Sequence, residues 1–286
     1  MADVKIVLCP IDFSDLSRQE LALAVELCET FGARLVLHHN LAAVSPGLTR
    51  AWEWNEVHRA EEASSAKAEQ RLRALLAELP KTVKAEATIS SGPVAGILLE
   101  LAKQLPADVM VLGSHGWSSG DHASVTERII DGSPCQVLTI HDGVTAANFR
   151  LRAVDGHPPA RVLVPTDLSD EARRVTDFAF TLARRVPLEL HMLHVVPRGR
   201  GQLELEAAER RLNDIVPNDL APQTECHVRQ GDAIEEILGF AQGTTPGFLL
   251  MGEHARSFLR RFFTRDTARE VLHRAPCPVW FVPPRA

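Results

Sequence analysis

The sequence lacks several features that mark common classes of protein. It has no tyrosine, five widely spaced cysteines without a C-x-x-C pair, and no apolar run of about 18 residues that could cross a membrane. A disulfide framework, a zinc ribbon and a membrane span are therefore not expected. The net charge of −6 supplies no excess of cations for nucleic-acid phosphates. No G-K-[ST] triplet occurs, which excludes a Walker-type phosphate loop.

The composition that remains is that of a packed protein, with 45% hydrophobic and 24% charged residues. The N-terminal stretch Met1-Ala2-Asp3-Val4-Lys5 has no signal-peptide pattern. We therefore expect a cytoplasmic protein that binds neither membrane nor nucleic acid. The 286 residues fit one large domain or two ordinary ones, at roughly 100–200 residues per domain.

An internal repeat indicates two domains and not one large domain. An apolar strand followed by P-x-D-x-S occurs at Pro10-Ile11-Asp12-Phe13-Ser14 and returns at Pro165-Thr166-Asp167-Leu168-Ser169. Later matches place Gly113 beside Gly252 and Ser133-Pro134-Cys135 beside Ala275-Pro276-Cys277. We expect domains at 1–141 and 161–286, joined by a linker at 142–160 that is rich in glycine and proline.

Each half alternates apolar strands with helical patterns. This alternation predicts βαβ crossovers, and hence an α/β fold of two tandem open five-stranded parallel sheets with helices on both faces. The last strands, Gln136–His141 and Pro278–Val282, would lie at sheet edges, which need covering. We expect the two domains to pair through these edges as an intramolecular pseudo-dimer, with a homodimer of two chains as a further alternative.

Four motifs in fixed order resemble the universal stress protein family. They are the strand with P-x-D-x-S, Gly-Ser-His-Gly at 113–116, Ala-Ser-Val-Thr-Glu at 123–127, and Ser-Pro-Cys-x-Val at 133–137. The resemblance covers both halves and implies a strand order of 3-2-1-4-5 in each. It also implies a stress-response binding protein. Many members bind ATP or a related adenine nucleotide, and others bind none.

Physical reasoning places a nucleotide site in the first half independently of the family. Ligands of open α/β sheets bind beyond the carboxyl ends of the strands at the point where the strand order reverses. Asp12 and Gly113 would both lie there, and the helix that starts near Ser124 would offer free N–H groups to phosphate. The hydroxyl groups of Ser124 and Thr126 could add donors.

The family's nucleotide motif, G-x2-G-x9-G-[ST], is matched in part. Gly113 and Gly116 take the first two glycines, but Ala123-Ser124 follows after six residues instead of nine. Asp121 would repel phosphate unless it turned away or bound Mg2+. The predicted cofactor is ATP or a related adenine nucleotide, with or without Mg2+. The predicted binding residues are Ile11, Asp12, Asn40, Gly113, Gly116, Ser124, Val125 and Thr126.

The second half keeps the spacing and loses the motif. Gly252 is present, but Ala255 replaces the next glycine and Arg265-Asp266 replaces the final pair. Asp266 at a helix start is expected to act as a cap in the place of an anion. An interaction scaffold that binds no nucleotide is therefore the alternative function.

Other polar residues are expected to be structural. His38 and His39 are neighbours on one strand and would point to opposite faces, as would His191 and His194 on its counterpart, so neither pair forms a metal site by itself. The His115, Asp121 and His122 cluster does not follow a known ligand spacing. Ser14 and Ser169 are expected to cap helices. No catalytic constellation is evident, so no enzyme activity beyond weak ATP hydrolysis is expected.

Overall fold

A computed structural model describes residues 3–41, 54–114, 124–152, 158–252 and 265–283. The strands are β1 (Ile6–Pro10), β2 (Arg34–Leu41), β3 (Lys84–Ser91), β4 (Val109–Ser114), β5 (Gln136–His141), β6 (Ala160–Pro165), β7 (Leu188–Val196), β8 (Thr224–Gln230), β9 (Phe248–Gly252) and β10 (Val279–Val282). The helices are α1 (Asp15–Phe31), α2 (Trp54–Glu78), α3 (Val94–Gln104), α4 (Val125–Gly132), α5 (Arg173–Ala183), α6 (Gln202–Asp214), α7 (Ala233–Thr244) and α8 (Arg265–Arg274).

The described strands form one ten-stranded sheet, in the order β3-β2-β1-β4-β5-β10-β9-β6-β7-β8. Within each half the order 3-2-1-4-5 and the parallel direction are confirmed. The expectation of two separate five-stranded sheets is wrong, because β5 and β10 pair antiparallel, with Val279 opposite Thr139 and Phe281 opposite Val137. Each strand covers the other's open edge, which removes two exposed apolar edges and fuses the sheets.

The sheet carries a hydrophobic core on each face. Alternate residues of β1 separate onto the two faces, with Val7 and Cys9 on one and Leu8 on the other. Helices α1, α2, α5 and α6 cover the first face, and α3, α4, α7 and α8 cover the second. Both cores draw side chains from both halves, so burial continues across the β5–β10 junction. No helix in the described part of the chain is long and apolar enough to span a membrane.

The predicted linker packs against the junction. Phe149 is 4% exposed, and its ring lies 5.2 Å from that of Phe248 and 6.3 Å from that of Trp280. The backbone N–H of Leu151 donates to Glu26 Oε1 of α1 at 2.8 Å. Arg152 pairs with Glu26 Oε2 at 3.0 Å. These contacts fasten the described part of the linker to both halves.

Of the three predicted helix caps, one caps its helix and two do not. Ser14 accepts a hydrogen bond from the Ser17 N–H and caps α1, as predicted. Ser169 accepts from the Ala172 N–H, but α5 begins only at Arg173, so Ser169 closes the preceding turn and does not cap the helix. Asp266 falls inside α8, which starts at Arg265, and is not the residue before the helix.

Candidate functional site

A cavity of about 320 Å³ opens where β1 and β4 end, at the point where the strand order reverses in the first half. Seven of the predicted nucleotide-binding residues line it, namely Ile11, Asp12, Asn40, Gly113, Ser124, Val125 and Thr126. The eighth, Gly116, lies outside the described residues, as do His115, Asp121 and His122. The parallel topology therefore brings one set of residues together from four separate stretches of chain.

Asp12 holds the loop after β1 in shape. Its Oδ1 accepts hydrogen bonds from the Ser14 N–H at 2.8 Å and from the Ser17 hydroxyl, which closes a turn of the kind that aspartate side chains form with backbone two residues on. Between them Phe13 adopts a left-handed backbone, with φ of 66°. The P-x-D-x-S motif is therefore a loop-building unit that also presents a carboxylate to the cavity.

Glu20 lines the cavity and was not predicted. It lies on α1, is 6% exposed, and accepts a hydrogen bond from the Gly113 N–H. Burial first, and then the nearby charge of Asp12, raises the pKa of Glu20 to about 8. At neutral pH this carboxyl is protonated and can donate a hydrogen bond. The signal in the sequence was a lone acidic residue among Leu16, Leu23 and Leu27 on the apolar face of α1.

Gly113 is required for close packing with α1. A Cβ at this position would meet Glu20 Oε1 and would lie 2.6 Å from Leu16 Cδ2. Its carbonyl oxygen accepts from the Thr126 hydroxyl at 2.9 Å. The glycine therefore admits the buried carboxyl of Glu20. The Thr126 hydroxyl, predicted as a phosphate donor, is already used to tie α4 to β4.

The N-terminus of α4 faces the cavity. Ser124 caps it, because its Oγ accepts from the Glu127 N–H at 3.2 Å, and this leaves the Ser124 hydroxyl proton to donate elsewhere. The N–H groups of Val125 and Thr126 belong to the first turn, which has no acceptors within the helix. The capped turn offers the kind of donor set that binds an anion.

The end of β2 closes the opposite wall. His38 is 2% exposed; its Nδ1 lies 2.9 Å from Thr88 Oγ1 and its Nε2 lies 3.0 Å from Ser90 Oγ. Burial, followed by the neighbouring charge of His39, lowers the pKa of His38 to about 4. Ser90 donates in turn to Asn40 Oδ1 at 3.2 Å. His38 is thus a neutral member of a satisfied network, as expected for a core histidine.

His39 and Asn40 are oriented by backbone groups. His39 Nδ1 donates to the Ile11 carbonyl oxygen at 2.6 Å, and its ring lies 4.6 Å from that of Phe13. Asn40 Nδ2 donates to the Gly92 carbonyl oxygen at 3.0 Å. These two residues brace the loops that follow β1 and β3, and both line the cavity.

A serine, a histidine and a glutamate also meet at the junction of the halves. His273 of α8 places Nδ1 3.4 Å from Ser114 Oγ and Nε2 3.1 Å from Glu127 Oε1. The order resembles that of a hydrolase triad. However, Ser114 is only 1% exposed, so its hydroxyl is not accessible to a substrate. We therefore interpret these contacts as a buried link between β4, α4 and α8.

The family model for the universal stress protein family matches residues 3–141 and 159–283. The chain belongs to the universal stress protein family. It carries two such domains in tandem. No curated protein matches the chain.

Solved structures share this fold over nearly the whole chain. A universal stress protein from Archaeoglobus fulgidus DSM 4304 is 18% identical, with a TM-score of 0.66 and coverage of 97% of this chain and 96% of the other. A functionally unknown protein from Pseudomonas aeruginosa PAO1 is 15% identical, with a TM-score of 0.62 and coverage of 99% and 93%. A putative universal stress protein from Pseudomonas aeruginosa UCBPP-PA14 is also 15% identical, with a TM-score of 0.62 and coverage of 99% and 94%. At these identities the likeness concerns the fold.

Proposed function

We propose that the first domain binds ATP or a related adenine nucleotide, and that the protein acts as a regulatory binding protein of the stress response and not as a dedicated enzyme. The observation that carries this proposal is that Asp12, Gly113 and Ser124 line one cavity at the carboxyl ends of the strands. Its volume of about 320 Å³ lies at the lower end of the range for small-molecule sites.

The polarity of the lining suits the parts of a nucleotide. Ile11, Leu98 and Leu112 offer an apolar surface to a base. Asp12 offers carboxylate oxygens to a ribose hydroxyl or an exocyclic amine. Phosphate groups would lie toward Ser124, where the helix N-terminus and the serine hydroxyl supply donors. Mg2+ would offset part of the phosphate charge beside the acidic lining.

Specific contacts favour the alternative, an interaction scaffold that binds no nucleotide. The Gly113 N–H and the Thr126 hydroxyl, two groups expected to hold phosphate, already donate to Glu20 and to the Gly113 carbonyl oxygen. Asp12 adds a negative charge to the same cavity. A nucleotide must therefore rely on the Ser124 end of the site or displace these bonds.

Calorimetric titration of the full chain with ATP, with and without Mg2+, distinguishes these functions. Nucleotide binding predicts one site per chain. Asp12→Asn keeps an oxygen for the turn but removes the charge, and should weaken binding about tenfold, equivalent to about 1.4 kcal/mol. The matched variant Asp167→Asn, at the same turn of the second domain, should leave binding unchanged. Gly116→Asp should abolish binding, because it adds a carboxylate at a motif glycine.

Absence of heat at millimolar ATP, together with absence of nucleotide by mass spectrometry after denaturation of the purified protein, would contradict the proposal and support the scaffold. Equal weakening by Asp12→Asn and Asp167→Asn would show that the cavity of the first domain is not the site. Circular dichroism of each variant checks that the fold is retained.

A further inference from the structure

Two histidines and a glutamate converge on the outer edge of the second domain. Several strands separate this edge from the cavity of the first domain. His191 lies on β7, and Glu225 and His227 lie on the edge strand β8. The strand register sets His191 opposite Glu225, and His227 follows two residues later on the same face. The three side chains therefore share one face of the sheet.

Their ligand atoms lie at the spacing of a common metal ion. His191 Nδ1 is 3.1 Å from His227 Nε2 and 3.6 Å from Glu225 Oε2, and His227 Nε2 is 3.5 Å from the same oxygen. Tetrahedral zinc with bonds of roughly 2.0–2.2 Å holds its ligand atoms about 3.3–3.6 Å apart. An ion just above the plane of this triangle would reach all three atoms once the two rings, which lie within 7° of parallel, tilt so that both nitrogen lone pairs point at it.

The second nitrogen of His191 indicates how the site would be supported. His191 Nε2 is buried and has no hydrogen-bond partner among the described residues. The carboxylate of Glu189 lies 3.9 Å away and is held by Arg161, whose Nε is 3.1 Å from Glu189 Oε2. Histidines that bind metals commonly donate their other ring N–H to a carboxylate. Glu189 would have to move about 1 Å closer to accept such a bond.

Metal binding would fix which nitrogen of each histidine ring carries the proton. With its proton on Nε2, His191 faces Glu189 and directs the Nδ1 lone pair at His227. With its proton on Nδ1, His227 directs its Nε2 lone pair at the same point. Without an ion, one of the two nitrogens donates its proton to the other across 3.1 Å, and a metal ion would take the place of that proton.

The surroundings hold the cluster in place and leave one side accessible. The Phe240 ring of α7 lies 4.7 Å from that of His227 and 6.1 Å from that of His191. The side chain of His191 is 8% exposed, whereas those of His227 and Glu225 are 28% and 58% exposed. The neighbouring cation Arg229 is paired with Glu236 at 3.6 Å. An ion could therefore enter from the strand edge and keep an open coordination position.

The corresponding positions of the first domain lack these ligands. Val36 takes the place of His191, and Thr88 takes the place of His227, while an acidic residue, Glu86, remains opposite Val36. Glu86 pairs with Arg34 at 2.6 Å instead. The histidine pair is thus an addition of the second domain and not a requirement of the shared fold.

We propose that His191, Glu225 and His227 form a binding site for a divalent transition-metal ion of the Zn2+ type, with Glu189 supporting His191 from behind. Two imidazoles and one carboxylate suit zinc and its neighbours rather than Mg2+ or Ca2+, which prefer oxygen ligands. The site is independent of the nucleotide proposal, because it lies in the other domain and shares no residue with the cavity.

Titration of the full chain with Zn2+, and with Co2+ as a spectroscopic probe, tests this site. The wild type should bind one Zn2+ tightly and give a visible Co2+ spectrum. His227→Gln and Glu225→Gln, both on the exposed side, should each lower the affinity by more than the roughly 10–100-fold that loss of a supporting carboxylate costs. Glu189→Gln should fall within that range.

His194→Gln is the matched control. His194 lies on the same strand but on the opposite face, where its Nδ1 donates to the Thr166 carbonyl oxygen at 2.8 Å, so its variant should bind Zn2+ as the wild type does. Unchanged Zn2+ affinity in His227→Gln would place the metal elsewhere among the twelve histidines and overturn the proposal. Absence of tight Zn2+ binding by the wild type, or equal affinity for Mg2+, would overturn it as well. Circular dichroism confirms that the variants are folded.

Discussion

The crevices of the two domains share the same loop construction. Asp12 Oδ1 accepts from the N–H two residues on, and Asp167 Oδ1 does the same at 3.1 Å. His39 donates to a carbonyl oxygen of the first loop at 2.6 Å, and its counterpart His194 makes the equivalent bond at 2.8 Å. These motif residues recur where the nucleotide motif is lost, so their common role is to build the scaffold.

The two domains differ in the side chain that packs against the glycine position they share. In the first domain Gly113 adjoins the buried carboxyl of Glu20, whereas in the second Gly252 adjoins the apolar Val175. The helix that faces this glycine therefore presents a titratable side chain in the first domain and an apolar one in the second. Glu20, more than the P-x-D-x-S motif, therefore distinguishes the chemistry of the first crevice from that of the second.

Replacing each of these glycines with alanine should produce the largest difference in stability between the two domains. We expect Gly113→Ala to lower the free energy of unfolding by about 3 kcal/mol and Gly252→Ala by about 1 kcal/mol, since overpacking typically costs about 1–3 kcal/mol. The reason is that the new Cβ would lie 2.6 Å from Leu16 Cδ2 and against Glu20 Oε1 in the first domain, but 3.2 Å from Val175 Cγ2 in the second. Urea denaturation of both variants measures the difference.

The double variant Gly113→Ala with Glu20→Ala serves as the control for that prediction. Removal of the carboxyl should recover at least about 1 kcal/mol, as expected for residues in direct contact. Equal losses in Gly113→Ala and Gly252→Ala, with no recovery in the double variant, would show that the two crevices are packed alike.

A pH profile of stability should reveal Glu20 as the titrating group of the first crevice. Its pKa rises from 4.5 to about 8 on folding, so between these values the native state keeps a proton that the unfolded chain has released. Stability therefore falls as the pH rises, by up to about 1.4 kcal/mol per pH unit, and the loss is complete just above pH 8. From pH 6.5 to 8 the expected loss is about 2 kcal/mol, and Glu20→Gln should remove it.

The measurement belongs above pH 6.5 because His38 has the opposite sign below it. Its pKa falls from 6.5 to about 4 on folding, so stability is lost as the pH drops through that interval. Asp12→Asn provides a second check: it removes a charge that raises the pKa of Glu20, and the stability loss should then end at a lower pH. A slope that persists in Glu20→Gln would assign the titration to another group.

The strand order was implied by the resemblance to the family. Seven residues of the cavity lining follow from local motifs, because the residue after each parallel strand lies at the same edge of the sheet. Glu20 escaped prediction because its partner, Gly113, is distant in the chain and only packing reveals their contact. The pairing of β5 with β10 was expected from their open apolar edges, whereas its antiparallel direction is encoded in no local pattern.

The proposed metal site escaped prediction for a related reason. His191 and His194 do lie on opposite faces, as the period of a strand requires, and His191 alone is no site. Its partner His227 comes from the next strand, and their meeting depends on the register between β7 and β8. Register is set by tertiary packing and cannot be taken from the spacing of histidines within one strand.

Substitution of the residue after each motif aspartate should have the smallest effect on stability, and it tests whether the loops of the two domains differ. Phe13 and Leu168 both hold a left-handed backbone, with φ of 66° and 61°. Asparagine tolerates this conformation, so Leu168→Asn should stay within about 0.5 kcal/mol of the wild type, as strain relief offsets lost contact. Phe13→Asn should cost about 1 kcal/mol, because the Arg71 guanidinium lies 3.9 Å from the Phe13 ring centroid. Thermal unfolding measures both, and a cycle with Arg71→Gln isolates the ring–cation contact. Equal effects of the two asparagine substitutions, with no coupling to Arg71, would show that the two loops are energetically interchangeable.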